Sequence, residues 1–467
     1  MKKHKSTCPQ CQGLAAEVAA LRKEIAQLRE QLAAAKKSSS TSSKPPSSDI
    51  VKPKPPGGDE SPRKIGGQPG HPWNERDPFS TAEITLFQTH ELDACPQCGG
   101  AIRRNGPLQR VVQQVDIDET PLTIEQHTCL EYWCDRCRRP CAAPLPLKIE
   151  RGGLVGPKLT ALIAFMKGFC HASFSTIRTY LRDVVGVRIA RSTLSNTIQK
   201  VSQALEGTYE ELVLLLPNED RLNIDETGHK DNGKRWWTWC LRADLYTLYK
   251  IDQRRSADVL LEMLGRDFDG IIGCDYFSAY RRYMRVMDVT VQFCLAHLIR
   301  DVKFLTTLPD ARDRAYGERL RLALKDLFAI FHRRAELPAA QFTQQLQAAR
   351  DRVLRAGLND VPPTRHAQNL ATRFRKHGAA YFTFVTTPGV EPTNNLAEQA
   401  IRFVVIDRHI THGTRSEGGR HWSERIWTVI ATCAQQGRSV LALIQEAVGQ
   451  WFADGPAPSL RPAPAAP

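Results

Sequence analysis

No stretch of the 467-residue chain approaches the roughly 18 consecutive apolar residues of a membrane-spanning helix. That absence excludes the membrane-embedded classes. The basic start, Met1-Lys2-Lys3-His4-Lys5, leads into no apolar segment, so the sequence is expected to carry no secretory signal and to work in the cytoplasm. Acid is in short supply: 50 Asp and Glu face 64 Lys and Arg, a net charge of +14. Such an excess suits a polyanionic partner, most commonly nucleic acid. The cysteines do not form the even set of a secreted scaffold. They number 13, and six stand as C-x-x-C in Cys8/Cys11, Cys95/Cys98 and Cys134/Cys137, a spacing that favours zinc over disulfides.

The length suits about three domains or more, and the composition changes along the chain. Residues 1–36 hold a heptad in which Leu14, Leu21 and Leu28 repeat every seven, as do Val18, Ile25 and Leu32. The steps of four and three place the Leu series at d and the other at a, a pattern that favours a parallel two-stranded coiled coil and hence a homodimer. Glu17 and Glu24 then fall at g, and Arg22 and Arg29 at e. A lone amphipathic helix packed on its own domain is the plainer alternative. Cys11 falls at a in the same register, so Cys8 and Cys11 either join a zinc shared by two chains or stand free. Residues 37–78 are rich in Ser, Pro, Gly and Lys, cannot bury a core, and read as a linker.

Residues 79–150 carry the other two C-x-x-C pairs. Each turns two sulfurs toward one point, and together Cys95, Cys98, Cys134 and Cys137 make a structural zinc site in a ribbon. Runs at Gln109 to Val115 and Leu122 to Cys129 are expected as its strands. Residues 151–215 read as a helical DNA-binding region. Helices over Ser175 to Val184 and Ser192 to Val201, the second capped by Ser192, form a helix-turn-helix pattern. Arg188, Arg191, Asn196, Gln199 and Lys200 are its candidate DNA contacts.

From residue 216 to about 450 the periodicity is that of a mixed α/β domain. Strands are expected at Arg221 to Asp225, Trp236 to Leu241, Leu245 to Ile251, Gly270 to Asp275 and Val289 to Cys294, with a helix from Ser256 to Leu264 after the third. The stretch from about 310 to 385 reads as a helical insertion, and residues 451–467 as a Pro/Ala tail. Asp225 and Asp275 each end a strand, and Glu398 lies on a helix opened by Glu391-Pro392-Thr393-Asn394-Asn395. Hard divalent ions take carboxylate oxygens, and such a trio can hold a pair of Mg2+ or Mn2+ for phosphoryl transfer. Glu226 is a rival to Asp225, and Glu391 and Glu424 are rivals to Glu398. His297, in Cys294-Leu295-Ala296-His297, is either part of the site or a satisfied core histidine.

Four signatures together resemble the transposases of bacterial insertion-sequence family 66. They are Ser42-Ser43-Lys44-Pro45-Pro46-Ser47-Ser48-Asp49, Gly66-Gly67-Gln68-Pro69-Gly70-His71-Pro72, the paired C-x-x-C, and Pro392-Thr393-Asn394-Asn395-Leu396-Ala397-Glu398-Gln399-Ala400-Ile401-Arg402. The resemblance implies a ribonuclease H-like catalytic core of the DDE type. Asp225, Asp275 and Glu398 would be its acids, with no covalent intermediate. It further implies double-stranded DNA at element ends and target DNA as partners, a bacterial cytoplasm, and room for accessory proteins of the same element. The chain departs from the family at the second acid, which is followed by Tyr276-Phe277 rather than by a Gly-Tyr-like pair. An inactive DNA-binding relative and a nuclease that cuts without joining are the alternatives.

Overall fold

The computed structural model describes residues 9–35, 80–83, 101, 122–127, 131–134, 139–142 and 145–461. It divides into a unit of residues 54–126 and a unit formed by the rest. In the smaller unit the described residues include one short turn, Thr81–Glu83. The strand expected from Leu122 is absent over 122–127, which carries no regular structure. Ile124 there is almost wholly exposed, so the run has nothing to bury its apolar face against.

The larger unit begins with helix α1, Pro9–Ala35. Its heptad residues Leu14, Val18, Leu21, Ile25, Leu28 and Leu32 are 44–62% exposed, so the apolar stripe is not packed on this chain's own core. Near its end Glu30 reaches His366 at 3.0 Å. Strands β1 (Glu131–Cys134) and β2 (Arg139–Ala142) form an antiparallel hairpin that brackets Cys134 and Cys137. Cys8, Cys95, Cys98 and Cys137 lie outside the described residues, and only the strand is described for Cys134. Residues 37–78, expected as a linker, also lie outside them.

Helices α2 (Leu147–Gly152), α3 (Pro157–Gly168), α4 (Phe174–Asp183), α5 (Arg191–Ala204) and α6 (Glu206–Leu215) follow. Pro157 opens α3 at the position where a missing N–H costs nothing. Ser173 caps α4 by accepting from the Thr176 N–H. Ser192 is not the cap of α5: the helix starts a residue earlier, Ala190 holds the cap position, and no side chain closes it.

The sheet comprises β3 (Arg221–Asp231), β4 (Lys234–Arg242), β5 (Thr247–Asp252), β6 (Ile271–Cys274) and β7 (Thr290–Phe293), in the order β5-β4-β3-β6-β7. β3 is central, antiparallel to β4 and parallel to β6. The β3–β4 turn is Asn232-Gly233, with φ of 48° and 76°, which suits a two-residue hairpin loop. Helix α7 (Ala257–Leu264) crosses between β5 and β6, and α8 (Ser278–Met287) between β6 and β7. After β7 come α9 (Leu295–Thr306), the insertion helices α10 (Ala311–His332), α11 (Ala339–Leu358) and α12 (Arg365–His377), the short α13 (Thr383–Thr386), then α14 (Asn395–Thr411), α15 (Glu417–Gln436) and α16 (Val440–Phe452).

One continuous core runs through the sheet, the insertion and helices α3 to α6. α15 lies along β5, the edge strand. Its Glu424, Thr428 and Thr432 accept the N–H groups of Ile251, Tyr249 and Thr247 at 2.6, 3.1 and 3.2 Å. Helix residues four apart rise about 6 Å and alternate strand residues about 6.7 Å, so one helix face matches one strand edge. Beyond α16 the chain packs back: Pro458 accepts from the Thr208 hydroxyl at 2.6 Å, and Leu460 is buried.

Candidate active site

The parallel register of β3 and β6 aligns Asn223 with Gly273. Asp225 and Asp275 each lie two residues further on, so the two carboxylates leave neighbouring parallel strands side by side. The Asp225 carboxylate accepts the Glu226 N–H at 2.9 Å, and that of Asp275 accepts the Phe277 N–H at 2.8 Å. Each aspartate keeps a second oxygen free of these bonds.

Glu398 sits in the first turn of α14, and Asn394 fixes that turn to the sheet. Its side-chain NH2 donates to the Ile224 carbonyl at 2.8 Å, and its side-chain oxygen accepts from the Asn223 amide at 2.8 Å. Its backbone N–H donates to the Cys294 sulfur at 3.2 Å, and its carbonyl accepts the Glu398 N–H at 3.2 Å. Gly273 leaves room for this junction: a Cβ there would lie 2.6 Å from the Asn223 amide nitrogen.

The three acids feel one another. Burial, then Glu226, Asp275 and Glu398, holds the Asp225 carboxyl well above the usual carboxylate range. Burial also raises Asp275, with Glu398 adding and His297 and Arg255 opposing. Glu226 is otherwise engaged. Its Oε1 accepts from Arg255 at 2.7 and 3.0 Å and its Oε2 from the Tyr280 hydroxyl at 2.5 Å, while burial pushes it up to about 7. Both rivals of Glu398 are committed elsewhere. Glu391 pairs with Arg334 at 2.7 Å, and Glu424 covers the sheet edge.

His297 is not a satisfied core histidine. Its Nδ1 and Glu398 Oε1 are buried without hydrogen-bond partners and stand 3.6 Å apart. Burial and Arg300 lower the imidazole pKa, with Asp275 and Glu398 opposing. A buried carboxylate oxygen and a buried imidazole nitrogen this close, neither with a hydrogen-bond partner, fit a divalent cation. Donor atoms of Cys294, His297 and Glu398 lie within 4.8 Å of one another. The Cys294 sulfur already accepts from the Asn394 N–H, and burial raises its pKa. Glu398 supplies the hard oxygen donor of this group, the kind that Mg2+ or Mn2+ prefers.

Beside Asp275 opens a cleft of about 310 Å³ lined by Arg255, Tyr276, His297, Arg373 and Tyr381 among others. Sequence reasoning missed Arg255 and Tyr280, and took Asn394 only for the opening of a helix. The Arg221–Asp225 run pointed to the strand but gave no sign of Arg255 and Tyr280, which meet the next residue, Glu226, from 29 and 54 positions away. The expected DNA contacts Arg188, Arg191, Asn196 and Gln199 are exposed on α5 and the loop before it. Lys200 is turned inward, donating to the carbonyls of Arg151 and Gly152 at 2.5 and 3.0 Å.

Clustered carboxylates on a mixed sheet, beside a cleft that also holds arginine, fit the class of transposases and nucleases. The family follows from comparison. The profile described as "Transposase IS66 family" matches residues 152–421, more than half of the chain, and the chain belongs to that family. Residues 3–77 match a family of unknown function. An uncharacterised protein, y4hP, of Sinorhizobium fredii is 22% identical over 378 residues, covering 73% of this chain and 67% of that protein.

Proposed function

We propose that the chain cuts DNA at the ends of an insertion sequence and joins them to target DNA, using a ribonuclease H-like core with Asp225, Asp275 and Glu398 as its acids. The observation that carries this reading is their convergence: two carboxylates on adjacent parallel strands and a third on a helix stitched to those strands by Asn394. Divalent ions on these oxygens would supply Lewis acidity to the scissile phosphate and activate the attacking hydroxyl. The chain's own part is to orient the carboxylates through the Glu226 and Phe277 N–H groups and to hold α14 in place. Exposed Arg188, Arg191, Asn196 and Gln199 extend the reading to duplex recognition. A structural zinc on Cys95, Cys98, Cys134 and Cys137 rests on the spacing of the cysteines alone.

The test is incubation with a duplex carrying the terminal repeat of the encoding element, with and without Mg2+ or Mn2+. Metal-dependent nicks ending in 3′-OH, and joined products when target DNA is added, are expected. Nicking without joining would make the chain a nuclease. Binding without nicking would make it a DNA-binding protein only.

The reading includes a homodimer, which holds two ends together before either is cut. The exposed stripe of α1 is the surface that supports it. Leu21→Glu with Leu28→Glu places charge at two d positions, and light scattering should then report half the wild-type mass. An unchanged mass would remove the coil from the assembly.

A further inference from the structure

We propose that Arg255 binds a DNA backbone phosphate in the cleft beside Asp275, an inference that rests on the DNA-cleavage reading above. Arg255 and Asp275 line the same cleft. The guanidinium is held in place on several sides. Its carbon lies 4.3 Å from the Trp237 ring centroid and 4.0 Å from that of Phe277. Its Nε and Nη2 both donate to Glu226 Oε1, whose carboxylate is buried and whose other oxygen is taken by Tyr280.

One edge of the fork is thus anchored. Nη1 makes no hydrogen bond among the described residues, and the side chain is 36% exposed. The adjacent Arg254, paired with both Asp252 and Glu262, does not line this cleft. Arginine presents its donors in a planar fork suited to phosphate, and this one is rigid before any ligand arrives. It also answers an electrostatic need. The Asp275 carboxyl lines the cleft that a phosphate must enter, and Arg255 is a fixed cation in that same cleft. The phosphate is the scissile one or its immediate neighbour on the cut strand.

The test measures binding of full-length protein to the terminal-repeat duplex in buffer without added Mg2+ or Mn2+. Neutral methylphosphonates replace the phosphates around the cut site one at a time. Arg255→Ala is paired with Glu226→Gln so that no bare carboxylate is left buried. Wild type should lose about tenfold in affinity at one position, and the double variant should lose less than twofold there. Its slope of log K against log salt should fall by about 0.9, one phosphate's worth. Arg255→Lys should keep the slope. The responding position tells the scissile phosphate from its neighbour. A methylphosphonate penalty of equal size in wild type and double variant at every position would overturn the proposal and leave Arg255 as the partner of Glu226. So would a wild type insensitive at every position. Coupling found without any metal-dependent cleavage would defeat the cleavage reading and leave the phosphate site standing.

Discussion

Asp275→Asn is expected to lower strand cleavage by a thousandfold or more, about 4 kcal/mol of transition-state stabilisation, while DNA affinity stays within a few-fold. Asn keeps the shape and the bond from the Phe277 N–H and removes the charge. Asp225→Asn and Glu398→Gln should behave alike, measured as initial rates of nicking on end-containing DNA. A fully active Glu398→Gln would end the assignment of the third acid, and neither Glu391 nor Glu424 stands ready to replace it.

The same variants carry a second readout that needs no DNA. Burial and neighbouring carboxylates raise the folded-state pKa of Asp225 and Asp275. Ionising them therefore costs stability. Their contribution to the metal-free fold is favourable at low pH and is lost as pH rises from the ordinary carboxylate value through the raised one. A bound divalent ion reverses that cost. Mn2+ should raise the melting temperature of wild type, more at pH 8 than at pH 5, and should do so weakly or not at all in Asp225→Asn. An equal rise in wild type and variant would place the ion elsewhere.

Asn394→Ala is expected to destabilise the fold by about 3 kcal/mol, read from the urea midpoint at unchanged slope. The side chain is buried and bridges Ile224 and Asn223. Its loss leaves an acceptor and a donor unpaired in the interior. Cleavage should fall further than stability explains, because the first turn of α14 carries Glu398. A loss under about 1 kcal/mol would mean that water takes over both bonds.

Much of this was legible in the sequence because it is local. Arg221 to Asp225 and Gly270 to Asp275 each read as a short run ending in an acid; the second folds as a strand with Asp275 just past its end, whereas the first is only the opening of β3, and Asp225 lies in mid-strand rather than at its end. The insertion is legible from helical periodicity alone. What escaped depends on pairing across the chain. β3 runs on to Asp231 through Glu226-Thr227-Gly228, a polar stretch that becomes strand because β4 lies against it. α8 buries Ala279, Tyr280 and Tyr283 along one face, a helical pattern that the sequence reading passed over. Ser192 has the chemistry of a cap but sits inside the helix it was expected to start. The tie between Glu226 and Arg255 joins residues that no local pattern connects.

The cover that α15 lays over β5 has a consequence for synthesis on the ribosome. Thr247, Tyr249 and Ile251 emerge long before Glu424, Thr428 and Thr432. Until the last helices leave the exit tunnel, the nascent sheet presents three in-line N–H donors on an unguarded edge, the kind of edge to which foreign strands add. The final stretch of the chain thus acts as a built-in chaperone for the part made first. Once it has docked, the β5 edge is closed to further strands.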